Sequence, residues 1–274
     1  MKSILTTVAI LVVTGAACAQ VPYGNNPAAG SYFNTGDANI YYEVYGSGKP
    51  LVLLHGGIFG YVTDFESLIA ELSKNYKVIA IATRGHGKSE LGKQPLSYKL
   101  FSEDAYKVIR HLTADSAIVI GFSDGADQAY YLAADHPDAV KRLVAIGGNF
   151  GAADYSDMTF INGLSAGLLI KNYPYIFNPR KQIMPDSSRF AEFVSKMAVI
   201  WKNDVYVSKE TISSIQCPTL IAFGEGDGCP TEQYVKLYRL LKKGHLAVIP
   251  GSDHLVFLRQ PKVMADVIWS FLGD

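Results

Sequence analysis

The chain has 274 residues, 49% of them hydrophobic, and 25 Lys and Arg balance 25 Asp and Glu, so its formal net charge is zero. This length and composition suit one large α/β domain with a sizeable core. The balanced charge and the lack of a basic stripe argue against nucleic acid as a partner, and no repeat, low-complexity tract or heptad pattern indicates a solenoid or a coiled coil.

The N-terminal segment has the features of a secretory signal peptide. Lys2 precedes an apolar stretch over residues 4–17, and the small-residue run Ala17-Cys18-Ala19 fits a cleavage site. The apolar stretch is shorter than the roughly 20 residues of a membrane span. We therefore predict a signal peptide over residues 1–19, export to the periplasm or the extracellular space, and no membrane span after cleavage. Lipidation at Cys18 is the alternative.

Two cysteines remain after the predicted cleavage, Cys217 and Cys229. An oxidising compartment would permit a disulfide between them. A predicted strand over residues 219–223 separates them, whereas a disulfide requires Cα atoms within about 7 Å. We predict two free thiols.

After an extended lead-in over residues 20–35, short apolar strands alternate with amphipathic helices. The predicted strands span residues 39–45, 51–54, 77–82, 117–120, 143–146, 219–223 and 246–249, with the first at an edge of the sheet. The predicted helices span residues 64–74, 102–112, 124–134, 232–242 and 262–272. This alternation predicts an α/β fold with a mostly parallel twisted sheet flanked by helices. In such sheets ligands bind beyond the carboxyl ends of the strands.

The alternation stops between residues 150 and 214, where a helical insertion is predicted. This region contains the loop pattern Pro174 to Pro179, an amphipathic piece over residues 190–201, and many aromatic residues. Two interpretations of the aromatics remain open, an apolar substrate pocket or packing of the insertion against the sheet. The residues concerned are Tyr155, Phe160, Tyr173, Tyr175, Phe177 and Trp201.

The segment Gly121-Phe122-Ser123-Asp124-Gly125 directly follows a predicted strand and opens into a predicted helix. This context is that of a nucleophile elbow, which places a serine on a sharp turn. The glycines on either side let the backbone turn tightly and expose the Ser123 hydroxyl. Serine is a weak nucleophile until a base takes its proton, so a histidine and an orienting carboxylate are expected downstream.

Two later strand ends carry these groups. Asp227 lies in the glycine-rich turn after the strand 219–223, and His254 lies in the loop before the last helix. Glu225 and Asp253 are nearby alternatives for the carboxylate. The chain order Ser123, Asp227, His254 is the order found on the α/β-hydrolase sheet.

Over residues 39–274 these motifs resemble the α/β-hydrolase superfamily, with residues 150–214 in the position of its cap. The motif His55-Gly56-Gly57 resembles the oxyanion loop of that family. The resemblance implies an oxyanion hole formed by the backbone N–H groups of Gly57 and Asp124. It makes Ile58 and Phe122 candidate pocket residues, and it gives His55 a structural role in its loop.

The Ser-Asp-Gly version of the elbow is similar to that of valacyclovirase-like serine hydrolases, where an acidic residue beside the serine suits substrates with an ammonium group. Alternatively, Asp124 stabilises the start of the helix, where a negative side chain is favourable. We favour this second interpretation.

The sequence therefore predicts a carboxylesterase-like serine hydrolase that cleaves small or medium acyl esters through an acyl-enzyme. It predicts a small-molecule acyl substrate, no cofactor and no metal. Hydrolysis of amides, aminoacyl esters, thioesters or lactones, and perhydrolysis, would use the same residues. A non-catalytic binding protein with this fold is the alternative from another class. No pattern predicts the oligomeric state.

Overall fold

A computed structural model describes residues 21–154, 158–203 and 205–273, so the predicted signal peptide and Tyr155 lie outside the described residues. The strands are β1 (Gly30–Asn34), β2 (Asn39–Tyr45), β3 (Lys49–Leu54), β4 (Tyr76–Ile81), β5 (Ala117–Phe122), β6 (Val140–Ile146), β7 (Thr219–Gly224) and β8 (Gly244–Ile249). They form one eight-stranded sheet in the order β1-β2-β4-β3-β5-β6-β7-β8.

The sheet is parallel from β4 to β8, whereas β1 and β2 run antiparallel to their neighbours. This confirms the predicted mostly parallel sheet. The predicted edge position of β2 is wrong, because β1 pairs along its outer side with Gly30 opposite Glu43. The strand β1 is short and largely solvent-exposed, so it lacks the apolar run by which buried strands are recognised.

The helices are α1 (Glu66–Leu72), α2 (Tyr98–Leu112), α3 (Asp124–Asp135), α4 (Thr159–Asn162), α5 (Ala166–Asn172), α6 (Pro174–Ile183), α7 (Phe190–Trp201), α8 (Lys209–Ser214), α9 (Thr231–Leu240), α10 (Val256–Arg259) and α11 (Pro261–Leu272). Short 3-10 helices span Val62–Phe65, Ala152–Asp154 and Ser187–Arg189. No helix in the described ranges combines the length and the apolarity that crossing a membrane requires.

Each face of the sheet carries its own apolar cluster. Side chains of α2, α3 and α9 pack on one face, and those of α1 and α11 pack on the other. All six residues of β5 are buried, as expected for a central strand that is covered on both faces. The end of β5, where the elbow begins, is therefore held by packing from both sides.

The insertion between β6 and β7 contains α4 to α8, and we call residues 150–214 the cap. A third apolar cluster joins residues of α7, among them Phe193 and Met197, to Ile58 and Leu91 in loops of the sheet domain. The cap therefore lies against the loops that follow the carboxyl ends of the strands.

The predicted loop at Pro174 to Pro179 is instead the first part of α6. Pro174 occupies the first turn, where the missing N–H costs nothing and the fixed φ suits a helix. Pro179 lies inside the helix, a position that normally opposes helix formation. This correction matters because α6 forms one wall of the cavity described below.

No disulfide joins Cys217 and Cys229, as predicted. They lie before and after β7, so the extended strand separates them.

Candidate active site

Ser123 lies in the turn between β5 and α3, with φ of 54° and ψ of −124°. Among the described residues it is the only non-glycine residue with positive φ. Such a conformation costs on the order of 1–3 kcal/mol and persists only where the surroundings impose it. Here the Ser123 N–H donates to the Ile146 carbonyl at 2.7 Å, and the Ala126 N–H donates to the Ser123 carbonyl at 2.7 Å.

The elbow glycines are required by close backbone contacts. A Cβ atom on Gly121 would overlap the carbonyl oxygen of Gly125. A Cβ atom on Gly125 would overlap the carbonyl oxygen of Leu54 at the end of β3. The spacing of the motif thus follows from the crossing of α3 over two strand ends.

The structure brings Ser123, Asp227 and His254 together beyond the ends of β5, β7 and β8. His254 Nε2 is 2.9 Å from Ser123 Oγ, and His254 Nδ1 is 2.9 Å from Asp227 Oδ2. The other carboxylate oxygen of Asp227 accepts the Cys229 N–H at 3.2 Å. A proton on Nδ1 that is donated to Asp227 leaves the Nε2 lone pair free to take the serine proton.

The surroundings of His254 change its proton affinity. Burial lowers the pKa of the imidazole, but the hydrogen bond and charge of Asp227, together with the charge of Asp124, outweigh burial and raise the pKa above its usual value. A raised pKa makes His254 a stronger base toward the serine hydroxyl.

The alternative carboxylates serve the neighbouring loop. Glu225 accepts the Gly251 N–H at 3.0 Å, and Asp253 accepts the Leu255 N–H at 2.9 Å. Asp227 is therefore the carboxylate of this region that contacts His254.

The two predicted oxyanion donors belong to residues in close contact. Gly57 follows β3, Asp124 is the first residue of α3, and a Cβ atom on Gly57 would overlap the Asp124 carboxylate and the Trp201 ring. The positive end of the α3 dipole lies at the same place. His55 stabilises the loop as expected, since its Nδ1 is 2.7 Å from the Gly56 carbonyl and its Nε2 accepts the Thr83 N–H at 2.9 Å.

Asp124 has a partner that local sequence patterns do not reveal. Trp201 Nε1, at the end of α7, is 2.8 Å and 3.1 Å from the two carboxylate oxygens of Asp124. Burial raises the pKa of Asp124 to about 6, against the lowering effect of the Trp201 hydrogen bond. The carboxylate thus joins the elbow to the cap.

A cavity of 540 Å³ opens at Ser123 between the sheet domain and the cap. We call it the main cavity. Most of its wall is apolar or aromatic, formed by Gly56, Gly57, Phe59, Phe122, Tyr173, Ile176, Trp201, Leu255, Phe257 and Leu258. The side chains of Asp64, Ser123, Arg180 and His254 also line it.

A side cavity of 170 Å³ lies on the Asp124 side of Ser123 and is more polar. Its walls are formed by Ser123, Asp124, Asp127, Asn149, Phe160, Ile161, Trp201, Tyr206 and His254. Ser123 and His254 therefore face both compartments.

The predicted pocket residues divide into several groups. Phe122, Tyr173 and Trp201 line the main cavity, and Phe160 lines the side cavity. The pocket prediction is wrong for three residues. Tyr175 is 93% exposed on the outer face of α6, whereas Phe177 and Ile58 are each 1% exposed within the cluster that joins the cap to the sheet domain.

The phase of α6 explains why Tyr175 does not line the main cavity. Residues 173, 176 and 180 have the spacing of one helix face, and all three line the main cavity. Tyr175 lies outside this stripe and is exposed, whereas Phe177 packs against Phe59 with 5.1 Å between ring centroids. Reading the segment as a loop conceals this phase, and with it Arg180.

Arg180 and Asp64 are the charged cavity residues that the sequence interpretation missed. The Arg180 Nη1 donates to the carbonyl oxygens of Phe59 and Ile58, in the loop that follows Gly57. Burial lowers the pKa of Arg180 and raises the pKa of Asp64 to about 6. In the described ranges, no group of three or more His, Cys, Asp or Glu side chains is placed to hold a metal ion.

Comparisons with known proteins support the α/β-hydrolase fold. A family model of the α/β-hydrolase fold matches residues 49–180. The 2-(acetamidomethylene)succinate hydrolase of Mesorhizobium japonicum is 26% identical over 255 residues, covering 83% of this chain and 89% of that protein.

Solved structures have the same fold. Est816, an N-acyl homoserine lactone degrading enzyme, is 25% identical with a TM-score of 0.71 and covers 88% of this chain and 99% of its own. A serine hydrolase involved in carbazole degradation is 23% identical with a TM-score of 0.71, and the match covers 89% of this chain and 98% of that chain.

Proposed function

The chain belongs to the α/β-hydrolase superfamily, and we propose that it is a serine hydrolase that cleaves small or medium acyl esters through an acyl-enzyme. One observation carries the proposal. The hydroxyl, imidazole and carboxylate of Ser123, His254 and Asp227 form a continuous hydrogen-bonded chain at the opening of an apolar cavity.

In the proposed reaction, Ser123 Oγ attacks the acyl carbonyl carbon while His254 Nε2 takes the hydroxyl proton. Asp227 holds the imidazole in orientation and stabilises its charged form. The backbone N–H groups of Gly57 and Asp124 bind the negative oxygen of the tetrahedral intermediate. Such a donor contributes on the order of 10²–10³ in rate.

Collapse of this intermediate breaks the ester bond, and His254 gives its proton to the leaving alkoxide. Water then attacks the acyl-enzyme while His254 accepts a proton from it. The second intermediate releases the carboxylic acid and returns the proton to Ser123. The reaction consumes only ester and water.

The shapes of the compartments support an acyl group in the main cavity and a smaller leaving group in the side cavity. The main cavity lies within the roughly 300–1,000 Å³ range of small-molecule sites. Leu258, which lines it, is 72% exposed, so the cavity reaches the surface and leaves room for a medium acyl chain.

An activity-based probe tests the nucleophile. A fluorophosphonate is expected to label the protein and to leave Ser123→Ala unlabelled, with folding of both proteins verified by circular dichroism. Ser195→Ala is the matched control, because Ser195 lies on α7 and its hydroxyl donates to the Ala191 carbonyl. A folded wild-type protein that takes no label would refute the proposal and favour a non-catalytic binding protein.

Amide, aminoacyl-ester, thioester and lactone hydrolysis, as well as perhydrolysis, remain second candidates. Two similar proteins are named for an acetamidomethylene succinate and for N-acyl homoserine lactones. We expect p-nitrophenyl esters of rising chain length to be cleaved faster than matched anilides, thioesters and lactones. Faster cleavage of any other class would reassign the substrate and keep the nucleophile.

We also propose that the protein is exported after removal of residues 1–19, or alternatively anchored by a lipid at Cys18. The apolar stretch and the small-residue run support cleavage. N-terminal sequencing of the exported protein is expected to start at Gln20. A blocked N-terminus at a modified Cys18 would establish the lipid anchor instead.

A further inference from the structure

The main cavity contains one cationic side chain in an otherwise mostly apolar wall. Arg180 reaches it from α6, beside Tyr173 and Ile176 of the same helix face. It is the only Lys or Arg among the described residues that line this cavity. Transfer of a guanidinium into such surroundings is costly unless a counter-charge or hydrogen-bond acceptors compensate it.

The compensation within the protein is incomplete. Arg180 Nη1 donates to the carbonyl oxygens of Ile58 and Phe59, and the guanidinium carbon lies 5.9 Å from the centroid of the Tyr61 ring. Within the described ranges, no carboxylate forms an ion pair with Arg180, and its Nε and Nη2 have no hydrogen-bond partner. These donors are available to a molecule in the cavity.

Asp64 is the only carboxylate that lines the same cavity within the described residues. Its Oδ2 accepts the Tyr61 N–H at 3.2 Å, and it acts on Arg180 through charge without direct contact. Burial raises its pKa to about 6, so near neutral pH Asp64 is mostly ionised, but within the described ranges it forms no ion pair with Arg180. The Arg180 charge is therefore only partly balanced.

We propose that Arg180 binds a carboxylate on the acyl part of the substrate, so that the enzyme prefers monoesters of dicarboxylic acids to neutral esters of equal length. Arginine suits this task because its planar donors match a carboxylate in two parallel hydrogen bonds. The inference rests on the proposed serine hydrolase function and specifies its substrate class.

A purely structural role for Arg180 predicts a different result. Because Arg180 also contacts the loop after Gly57, its loss could disturb the oxyanion donor and slow every substrate equally. If Arg180 instead binds the substrate carboxylate, its loss raises KM for carboxylated substrates alone. The ratio of kcat/KM between a carboxylated and a neutral ester separates these two effects.

The test compares mono-p-nitrophenyl adipate with p-nitrophenyl hexanoate, which has the same number of acyl carbons. A charge-assisted pair predicts a wild-type ratio of kcat/KM of about 10–100 in favour of the adipate. Arg180→Met is expected to lower the ratio to about 1 through KM, and Arg180→Lys to retain part of it. Asp64→Asn is expected to raise it, because it removes the competing negative charge. A wild-type ratio near 1, or one unchanged in Arg180→Met, overturns the inference.

Binding measurements keep this test independent of turnover. On Ser123→Ala, monomethyl adipate, which keeps one free carboxylate, is expected to bind at least about tenfold more tightly than the neutral methyl hexanoate, and addition of Arg180→Met is expected to remove the difference. Equal binding of the two esters overturns the inference even if no ester is hydrolysed. Cleavage of p-nitrophenyl hexanoate with no preference for the adipate ester refutes the inference and leaves the proposed function intact. If Arg180→Met does not fold, the kcat/KM ratios of Arg180→Lys and Asp64→Asn test the inference instead.

Discussion

The sheet side and the cap side of the main cavity satisfy their polar groups differently. On the sheet side, Ser123, His254 and Asp227 hydrogen-bond to one another on loops fixed by strand ends. On the cap side, Trp201 bonds to Asp124, and Arg180 bonds to backbone carbonyls after Gly57. The reacting groups are thus fixed by the sheet, whereas the cap contacts the loops that carry the proposed oxyanion donors.

This difference predicts distinct consequences of mutation. Changes on the sheet side should reduce turnover of every substrate, because they remove groups that act on the reacting atoms. Changes on the cap side should alter substrate preference or stability, because they act through binding or through a loop.

Asp227→Asn has the largest expected effect. By analogy with other triads, kcat should fall on the order of 10⁴-fold, because the amide no longer favours the proton on His254 Nδ1 or stabilises the charged ring. Asp253→Asn is the matched control, since this neighbouring carboxylate contacts Leu255 and Arg259 instead. A comparable loss of kcat in both variants would contradict the assignment of Asp227.

The pH profile of residual activity sharpens this prediction. Only neutral His254 can take the serine proton, so kcat/KM rises with pH through the pKa of the free enzyme. Because that pKa is raised in the folded protein, the acid limb of the wild type should lie above the ordinary value of about 6.5. In Asp227→Asn the limb should move to lower pH, and an unmoved limb would argue against the coupling.

Gly57→Ala tests the boundary between the two sides. The new Cβ atom would overlap the Asp124 carboxylate and the Trp201 ring, and thus displace a proposed oxyanion donor. We expect kcat to fall by roughly 10- to 1,000-fold for every ester, as in loss of such a donor. Gly167→Ala in α5 is the control, because apart from its chain neighbours and the backbone of its own helix no described atom lies within 4 Å of its added Cβ. A selective effect on one substrate would place Gly57 in binding alone.

Much of the sheet side could be predicted from sequence, since the patterns that indicate it span short stretches of the chain. An apolar strand, a Gly-x-Ser-x-Gly turn and a helix follow one another within about twenty residues around Ser123. Asp227 and His254 each follow a recognisable strand, and parallel strands bring their carboxyl ends together. Of the described strands only β1 was missed, because an exposed five-residue strand carries little apolar signal.

The cap side was less predictable because its features depend on helix phase and long-range contacts. Pro174 and Pro179 concealed α6, so the shared face of Tyr173 and Arg180 was not visible. The contact of Trp201 with Asp124 joins residues 77 positions apart, and no local pattern encodes it. Aromatic composition alone did not distinguish the cavity lining from the packed Phe177.

Trp201→Phe should remove the hydrogen bond between the cap and the elbow and reduce stability moderately. It keeps an aromatic ring but removes the N–H that donates to Asp124, leaving a buried carboxylate with fewer donors. We expect a loss of about 1–3 kcal/mol in the free energy of unfolding at pH 8. Trp269→Phe, at the other tryptophan of the chain, is the matched control for ring truncation. Urea unfolding measures both, and a loss that persists in an Asp124→Ala background, which lacks the acceptor, would show that the ring, not the hydrogen bond, matters.

Asp124→Asn should have the smallest effect on activity, and the direction in which it changes the pH dependence of stability is informative. The folded-state pKa of Asp124 is raised to about 6 from 3.8, so its contribution to stability is present in full below 3.8 and is lost as pH rises toward 6. Asparagine keeps an acceptor for Trp201 and does not titrate. The free energy of unfolding of the variant minus that of the wild type should therefore increase by about 1–3 kcal/mol between pH 4 and pH 7 and stay level above it.

Asp253→Asn provides the control of opposite sign. The Leu255 N–H lowers the pKa of Asp253, so its contribution is present above the ordinary carboxyl pKa and is lost on acidification. The variant-minus-wild-type difference should therefore decrease as pH rises. If this difference changes with pH in the same direction for both variants, burial of Asp124 does not cause the pH dependence. If it increases with pH only for Asp124→Asn, the contact between elbow and cap requires a buried charge that destabilises the protein, as the contrast between the two sides of the cavity implies.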